Sequence, residues 1–175
     1  SGDTSRVVRC LMNNSAAIGT LSFSRVTFDD RLNAALYKYL KCQTTHLPAV
    51  ELCYCDGQLD EAIKLVLTGK IISLKLDGDG IDRTAFLALA TGLAFTETLK
   101  ELILPRMIWT EKQTVALTRG LQMNSSIEKL DLRTGSFAAN SIDHLARSLR
   151  NARSLRSLIL TECHLDDASV SKLVE

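Results

Sequence analysis

The sequence predicts an α/β fold: a right-handed α/β solenoid of about six repeats, with parallel strands on a concave face and helices on a convex face. Two observations predict it. First, a pair of apolar residues spaced as Leu-x-Leu recurs, and its second member, the origin of each repeat, is in turn Phe23, Leu52, Leu76, Leu104, Leu132 and Leu160. The intervals between these origins are 29, 24, 28, 28 and 28 residues. Second, apolar residues at helical spacing follow most origins, so one repeat is a strand, a loop and a helix.

The strand of each repeat is predicted from alternating apolar positions. The residues two before the origins are Leu21, Val50, Leu74, Leu102, Leu130 and Leu158. Five before the origins stand Ile18, Leu47, Ile71, Leu99, Ile127 and Leu155. Because side chains alternate between the two faces of a strand, this spacing places the apolar set on one buried face.

The helix of each repeat is predicted from a stripe of leucines and from a capping residue. Thirteen residues after the origin stand Leu36, Leu89, Leu117, Leu145 and Leu173, and seventeen after stand Leu40, Leu93, Leu121 and Leu149. Residues four apart share one face of a helix. Six after the origin come Asp29, Asp82, Thr110 and Asp166, which are N-cap types, and Thr110 with Gln113 fits a capping box. Ala138 breaks this series, so that helix is expected to begin later, at Asn140 or Ser141.

The repeats predict a single domain over residues 1–175, and we expect it to be a piece of a longer chain, because neither end has the polar cap that a solenoid needs. Residues 1–14 are expected to form the helix of a preceding or capping repeat. The repeats then occupy 15–43, 44–67, 68–95, 96–123, 124–151 and 152–175. The second is four residues short, so its helix, around Asp60 to Leu67, is expected to be stunted.

Composition narrows the class of function. Lys and Arg number 21 against 20 Asp and Glu, a formal net charge of +1, which argues against a nucleic-acid protein with a strong overall field. No apolar run is long enough to span a membrane and no signal peptide is visible. The cysteines, five in number, lack a disulfide framework, and Cys53-x-Cys55 is too short for a zinc knuckle. Reduced thiols in a cytoplasmic protein are the expectation.

The 28-residue pattern Leu-x-x-Leu-x-Leu followed by a helix resembles the leucine-rich repeat, in its ribonuclease-inhibitor-like class. That class includes ribonuclease inhibitor, tropomodulin, the Ran GTPase-activating protein and the repeat domains of NOD-like receptors. The resemblance covers about residues 7 to 175, and Leu121 to Leu132 is typical of it. One feature departs from it. The family places Asn or Cys three residues after the origin, where this chain has Val26, Cys55, Asp79, Met107, Gly135 and Cys163. The resemblance therefore implies a less regular inner ladder, with structural roles for Cys55 and Cys163.

The predicted function is a non-catalytic scaffold that binds another protein on its concave face. The residues beside each origin point out of the core there. The expected binding residues are Lys75, Asp77, Ile103, Pro105, Ile108, Asp131, Arg133 and Ile159. Acidic and basic side chains nearly balance, which suits a mixed-charge protein surface better than a polyanion. The apolar residues Ile103, Pro105 and Ile108 are expected to form an exposed binding centre; the alternative is that they pack on each other or on another segment. Trp109 is expected in the core.

A second surface is the run Arg147, Arg150, Arg153 and Arg156, which either binds an anion or is a solvated set near a helix C-terminus. We expect no catalytic site, metal, cofactor or small-molecule substrate. Asp77-Gly78-Asp79-Gly80 lacks the distal Glu of a calcium loop, and Cys163 beside His164 is not a nucleophile and base pair. The alternative function is a regulatory domain of a larger protein, of the GTPase-activating or NOD-like receptor type, that modulates a partner enzyme. Dimer formation through the uncapped ends stays open.

Overall fold

A computed structural model of the chain describes residues 2–13, 18–42, 48–78, 81–138 and 140–174. It is an α/β structure in which helices alternate with the strands of a parallel sheet of six strands. The predicted class, the parallel strands and their alternation with helices are confirmed. Leu47 and Asp79, which the sequence pattern assigns to the ladder, lie outside the described residues.

The elements follow one another in a regular order. In chain order they are α1 (Gly2–Asn13), β1 (Thr20–Ser24), β2 (Thr27–Phe28), α2 (Asp30–Cys42), β3 (Ala49–Cys53), β4 (Asp56–Gly57), α3 (Leu59–Thr68), β5 (Ser73–Asp77), α4 (Arg83–Leu93), β6 (Glu101–Ile103), β7 (Ile108–Trp109), α5 (Glu111–Met123), β8 (Lys129–Asp131), β9 (Ser136–Phe137), α6 (Ser141–Leu149), β10 (Ser157–Ile159) and α7 (Asp167–Val174).

The main sheet keeps the strands in chain order, β1-β3-β5-β6-β8-β10, and all of its pairings are parallel. The residues two before each origin align across it, from Leu21 through Val50, Leu74, Leu102 and Leu130 to Leu158. Short pairs, β2 with β4 and β7 with β9, continue the pairing beyond the loops. The edge strands β1 and β10 do not pair with each other, so the sheet is open.

The core lies between one face of the sheet and the layer of helices. Val50, Leu74, Leu102 and Leu130 are fully buried, and they belong to the same cluster as the helical leucines. Each helix packs on the helices before and after it in the chain. The aliphatic residues at the predicted strand and helix positions therefore form one continuous core, which thins at β10, where Leu158 and Leu160 are only half-buried.

The chain leaves each strand through a residue with positive φ, two positions after the origin. These residues are Arg25 (φ 55°), Tyr54 (54°), Gly78 (107°), Arg106 (59°), Thr134 (56°) and Glu162 (59°). A left-handed conformation costs a non-glycine residue about 1–2 kcal/mol. Hydrogen bonds to the next strand offset this cost, as from Tyr54 N to Asp77 O at 2.7 Å and from Thr134 N to Thr161 O at 2.8 Å.

The helix starts follow the predicted capping residues. Asp29, Asp82 and Asp166 each accept a bond from the backbone N–H three residues later, at 2.8 Å. Thr110 and Gln113 form the expected capping box. Asn140 makes no capping bond, and α6 begins at Ser141. The late start predicted for this helix is therefore confirmed. The helix that was expected to be stunted, α3, has 10 residues, against 13 in α2 and α5, 11 in α4 and 9 in α6, so it is not unusually short.

A buried asparagine, Asn124, ties the turn after α5 to the C-terminal end of α4. The Asn124 side chain donates to Leu93 O at 2.8 Å and to Thr96 O at 2.9 Å. Its Oδ1 accepts from the backbone N–H of Ser126 at 2.8 Å and of Ile127 at 2.7 Å. Each polar atom of this amide thus has two backbone partners, which are themselves at a helix end or a turn where intrahelical partners are missing.

Replacing Asn124 by Ala removes the four hydrogen bonds between its side chain and the backbone. A buried backbone group left unpaired costs about 1–3 kcal/mol. We expect the free energy of unfolding to fall by about 3 kcal/mol or more, measured by urea denaturation. The matched control is Ser125→Ala, an exposed neighbour, which should change it by less than about 0.5 kcal/mol. Equal effects of the two substitutions would show that the asparagine does not link the turn after α5 to the end of α4.

Candidate functional site: the open face of the parallel sheet

The face of the main sheet that is turned away from the helices is exposed or half-buried in most places, and we call it the open face. Parallel sheets are ordinarily covered on both sides. Along β1 the burial alternates strictly, with Thr20, Ser22 and Ser24 exposed and the residues between them buried. A surface that carries polar side chains and is not covered by helices is thus available for contact.

Four of the predicted binding residues form one row across the open face. The strand register aligns Lys75 with Ile103, Ile103 with Asp131, and Asp131 with Ile159. Glu51 extends the row on the other side of Lys75. The charged residues of this row alternate in sign, in the order Glu51, Lys75 and Asp131. The aliphatic residues Ile103 and Ile159 lie on either side of Asp131.

The second set of predicted residues lies where the strands end. Asp77 is the last residue of β5, and Pro105 and Arg133 follow β6 and β8 by two residues. Two arginines dominate this edge, Arg133 and the unpredicted Arg106, and the backbone N–H of Arg106 bonds to Arg133 O at 3.0 Å. Each arginine holds a buried carboxylate.

Asp131 is fully buried beneath Arg133. The guanidinium of Arg133 donates from Nε to Oδ1 at 3.0 Å and to Oδ2 at 2.9 Å, and Nη2 also contacts Oδ2. Burial on its own raises the pKa of Asp131, but the hydrogen bonds and charge of Arg133 outweigh it, and the pKa is lowered from its ordinary value. The side chain of Arg133 remains 51% exposed. The guanidinium of Arg133 is thus bonded to Asp131, while about half of the side chain is open to solvent.

Arg106 bridges two neighbouring strands. Its Nη2 lies 2.5 Å from Asp77 Oδ2 and 2.6 Å from the hydroxyl of Tyr54, and the guanidinium stacks 5.5 Å from the centroid of the tyrosine ring. Gly78 makes room for this ring, because a Cβ there would lie 2.6 Å from Tyr54 Cδ1. The other carboxylate oxygen of Asp77 is buried and has no hydrogen-bond partner among the described residues.

Further cross-strand contacts order the start of the strands. Glu101 accepts from Ser73 Oγ at 3.0 Å and lies 2.5 Å from Lys129 Nζ. Ser22 Oγ donates to Glu51 at 2.9 Å. Pairs of this kind are worth about 1 kcal/mol or less singly. As a set, they link polar side chains of neighbouring strands.

Burial changes three of the sequence expectations. Asp77 and Asp131 are buried, although both were expected to point outward into solvent. Pro105 is also buried, so Ile103, Pro105 and Ile108 do not form one exposed cluster. The strand β6 ends at Ile103, and Pro105, which lacks an N–H to pair with β8, lies in the turn that follows. Ile108 is 74% exposed but belongs to β7, in a separate small sheet.

The remaining predicted positions can be placed more briefly. Trp109 is buried as expected, stacked 6.0 Å from Phe137. Arg147, Arg150, Arg153 and Arg156 are exposed between the last turn of α6 and the start of β10, with no ion pair within the described residues. Two of them thus lie at a helix C-terminus, as the solvated interpretation supposes; anion binding there stays a prediction.

The chemistry of the cysteines follows from their surroundings. Burial raises the pKa of Cys53, Cys55 and Cys163, so these thiols stay protonated at neutral pH. Cys163 donates to Leu132 O at 3.2 Å and Cys55 to Phe23 O at 3.5 Å, which are bonds to neighbouring turns. In the ranges that the structure describes, no three His, Cys, Asp or Glu side chains are grouped as a metal site would require.

Sequence reasoning missed Arg106 and Tyr54. Both occupy the position two after an origin, which the strand pattern assigns to the loop. The available signal was a long or aromatic side chain recurring at that position, as in Arg25, Tyr54 and Arg106.

Removing the guanidinium above Asp131 should change the pH dependence of stability. A carboxyl whose pKa is lowered on folding adds stability that is present above its unfolded pKa of about 3.9 and is lost as the pH falls through the folded pKa. In Arg133→Met, the guanidinium no longer offsets the burial of Asp131, so the pKa of Asp131 should rise. NMR titration of the carboxyl carbon of Asp131 measures this pKa. The stability difference from the wild type should be largest at pH 7 and should shrink at pH 3.

The matched control is Arg119→Met, because Arg119 is exposed on α5. It should leave the titration of Asp131 unchanged. An unchanged Asp131 titration in Arg133→Met would contradict the assigned role of Arg133.

In the part of the chain that the structure describes, no helix combines the length and the apolar composition needed to cross a bilayer. Comparison with known proteins found no family model and no curated protein sequence that matches the chain.

Proposed function

We propose that this chain is a protein-binding scaffold of the leucine-rich repeat class and that it binds a partner protein on the open face of its sheet. The observation that carries this proposal is the uncovered face of a parallel sheet, on which polar side chains are held in place by neighbouring strands. Binding a partner protein requires an exposed surface and does not require an enzyme cleft.

The solenoid assignment rests on order and register. Strand order in the sheet equals chain order, and the helices pack in the same sequence. Equivalent residues align from strand to strand without a slip. A stack of similar units, each packed on the next, produces this arrangement.

The partner's chemistry follows from the charges of the open face. Its carboxylates are matched by nearby cations, as in the pairs Asp77 with Arg106, Glu101 with Lys129 and Asp131 with Arg133. Such a surface has little net field with which to attract a polyanion. It suits a folded protein with both signs of charge and with apolar side chains to place on Ile103 and Ile159.

The anchored arginines favour tight binding. An arginine that must be ordered on binding loses side-chain entropy, of order 1 kcal/mol. Arg106 and Arg133 are already held by buried carboxylates, yet each side chain is about half exposed. Their free N–H groups can therefore meet a partner's carbonyl or carboxylate oxygens at a smaller entropic cost.

The row centre, Ile103, is the position that tests the proposal. A photo-crosslinking residue at Ser22 on the open face, compared with one at Arg119 on α5, is used to identify the partner in an extract of the cells that produce the protein. Ile103→Asp should then weaken the partner's affinity about tenfold or more, because it replaces an apolar contact by a second carboxylate in register with Asp131. Isothermal calorimetry measures the affinity.

The control is Met123→Asp, an exposed apolar residue at the end of α5, which should leave that affinity within about twofold. Melting temperatures of both variants, measured by circular dichroism, confirm that each is folded. Unchanged binding by a folded Ile103→Asp protein would refute the open face as the site.

A further inference from the structure

A long groove runs between α3 and α4, in the helix layer and not on the open face. Its volume is about 790 Å³. The lining residues recur at helical spacing, from Asp60 to Thr68 on α3 and from Thr84 to Gly92 on α4, and Phe95 lines the groove just after the C-terminus of α4. The two walls therefore follow the helix axes. At about 1.5 Å per residue, the distance from Thr84 to Phe95 is about 16 Å, or three turns of helix.

The floor of the groove is apolar, and two large apolar side chains form ridges along it. Leu87 is 59% exposed and Phe95 is 80% exposed, and both line the groove. Between them the floor is made by the small residues Ala88 and Gly92. A Cβ on Gly92 would lie 2.5 Å from Leu67 Cδ1, so glycine there lets the two helices approach and leaves the depression. Leu87 and Phe95 thus place two large exposed apolar side chains along one depression, an arrangement also found in binding grooves.

The charged side chains are paired at one end of the groove and unpaired, among the described residues, at the other. Near the start of α3, Lys64 is paired with Asp60 at 3.1 Å and Glu61 at 3.4 Å. At the other end, Lys70 follows α3 and Glu97 follows α4, and both are exposed. Within the described residues neither forms an ion pair. One cation and one anion without an ion-pair partner among the described residues thus flank the end of the groove near Phe95.

We propose that this groove binds an amphipathic α-helix of a partner protein. Apolar side chains at positions i, i+4 and i+7 of that helix fit between Leu87 and Phe95, because seven residues of helix rise about 10.5 Å and these two residues are eight positions apart in the chain. The helix lies antiparallel to α3 and α4. Its N-terminal end, which is partially positive, then meets the partially negative C-terminal ends of both helices.

Charge fixes the composition of the first turn. An acidic residue there faces Lys70 and is also favourable next to its own helix N-terminus. A basic residue on the opposite flank faces Glu97. The groove is therefore specific for a helix with an acidic first turn and an apolar stripe. It does not share residues with the open face, so the two surfaces can be occupied independently.

The probe is a phage-displayed library of 16-residue peptides built on a helical frame, with the stripe and first-turn positions randomised. Selection is carried out against the full chain and counter-selected against Phe95→Asp. The expected peptides carry apolar residues at i, i+4 and i+7 and an acid in the first turn. Binding, measured by fluorescence anisotropy, should fall at least about tenfold with Phe95→Asp and about threefold or more with Lys70→Glu.

The control variant is Met123→Asp, because Met123 is 75% exposed at the equivalent position of the next repeat and does not line the groove. Peptide affinity should not change with it. Phe95 is exposed, so its aspartate variant is expected to fold, and circular dichroism checks this.

Three results would overturn the proposal. The first is a selection that yields no peptide sensitive to Phe95→Asp. The second is peptide binding that Lys70→Glu leaves unchanged. The third is a wild-type dimer in sedimentation that Phe95→Asp dissociates, since a second copy would then be the occupant.

Discussion

The structure depends on one constraint, the in-register stacking of aliphatic side chains from strand to strand. Leu74, Leu102 and Leu130 occupy aligned positions and are all inaccessible to solvent. A slip of one residue in any strand would turn its leucines to the open face and its charged residues into the core. The near-constant interval between origins is the form that this constraint takes in the sequence. The short interval between Leu52 and Leu76 is absorbed by the helix and its loops, because the strand register cannot change.

The same constraint explains why bulky residues tolerate a left-handed backbone. Once the strands are aligned, the chain must turn sharply towards the next helix, and it does so at the same position each time. Glycine would be the easiest residue there, but only Gly78 is one. Two of the larger side chains at this position make contacts across the strands. Arg106 and Tyr54 project from these turns and meet over Asp77, so the strained positions build the most organised part of the open face.

The elements that repeat could be predicted from the sequence, and the side-chain contacts that do not repeat could not. Alternating leucines located the strands, Asp82 and Thr110 located helix starts, and the missing cap at Ala138 located the late start of α6. The burial of Asp131 and Asp77 depends on which arginine covers them, one two residues away and one in the adjacent repeat. A period describes positions along the chain but not the reach of a long side chain across strands. The groove between α3 and α4 likewise depends on Gly92, which breaks no pattern.

Each helix packs chiefly on its chain neighbours, so every strand and its helix are supported from both sides except at the edge strands β1 and β10. Local opening should therefore be least frequent in the middle of the sheet, at β5, β6 and β8, and should increase towards β1 and β10. The row of Lys75, Ile103 and Asp131 lies in that middle part. Amide exchange is expected to be slowest in that part of the fold, so the binding of a partner there should protect few additional amides.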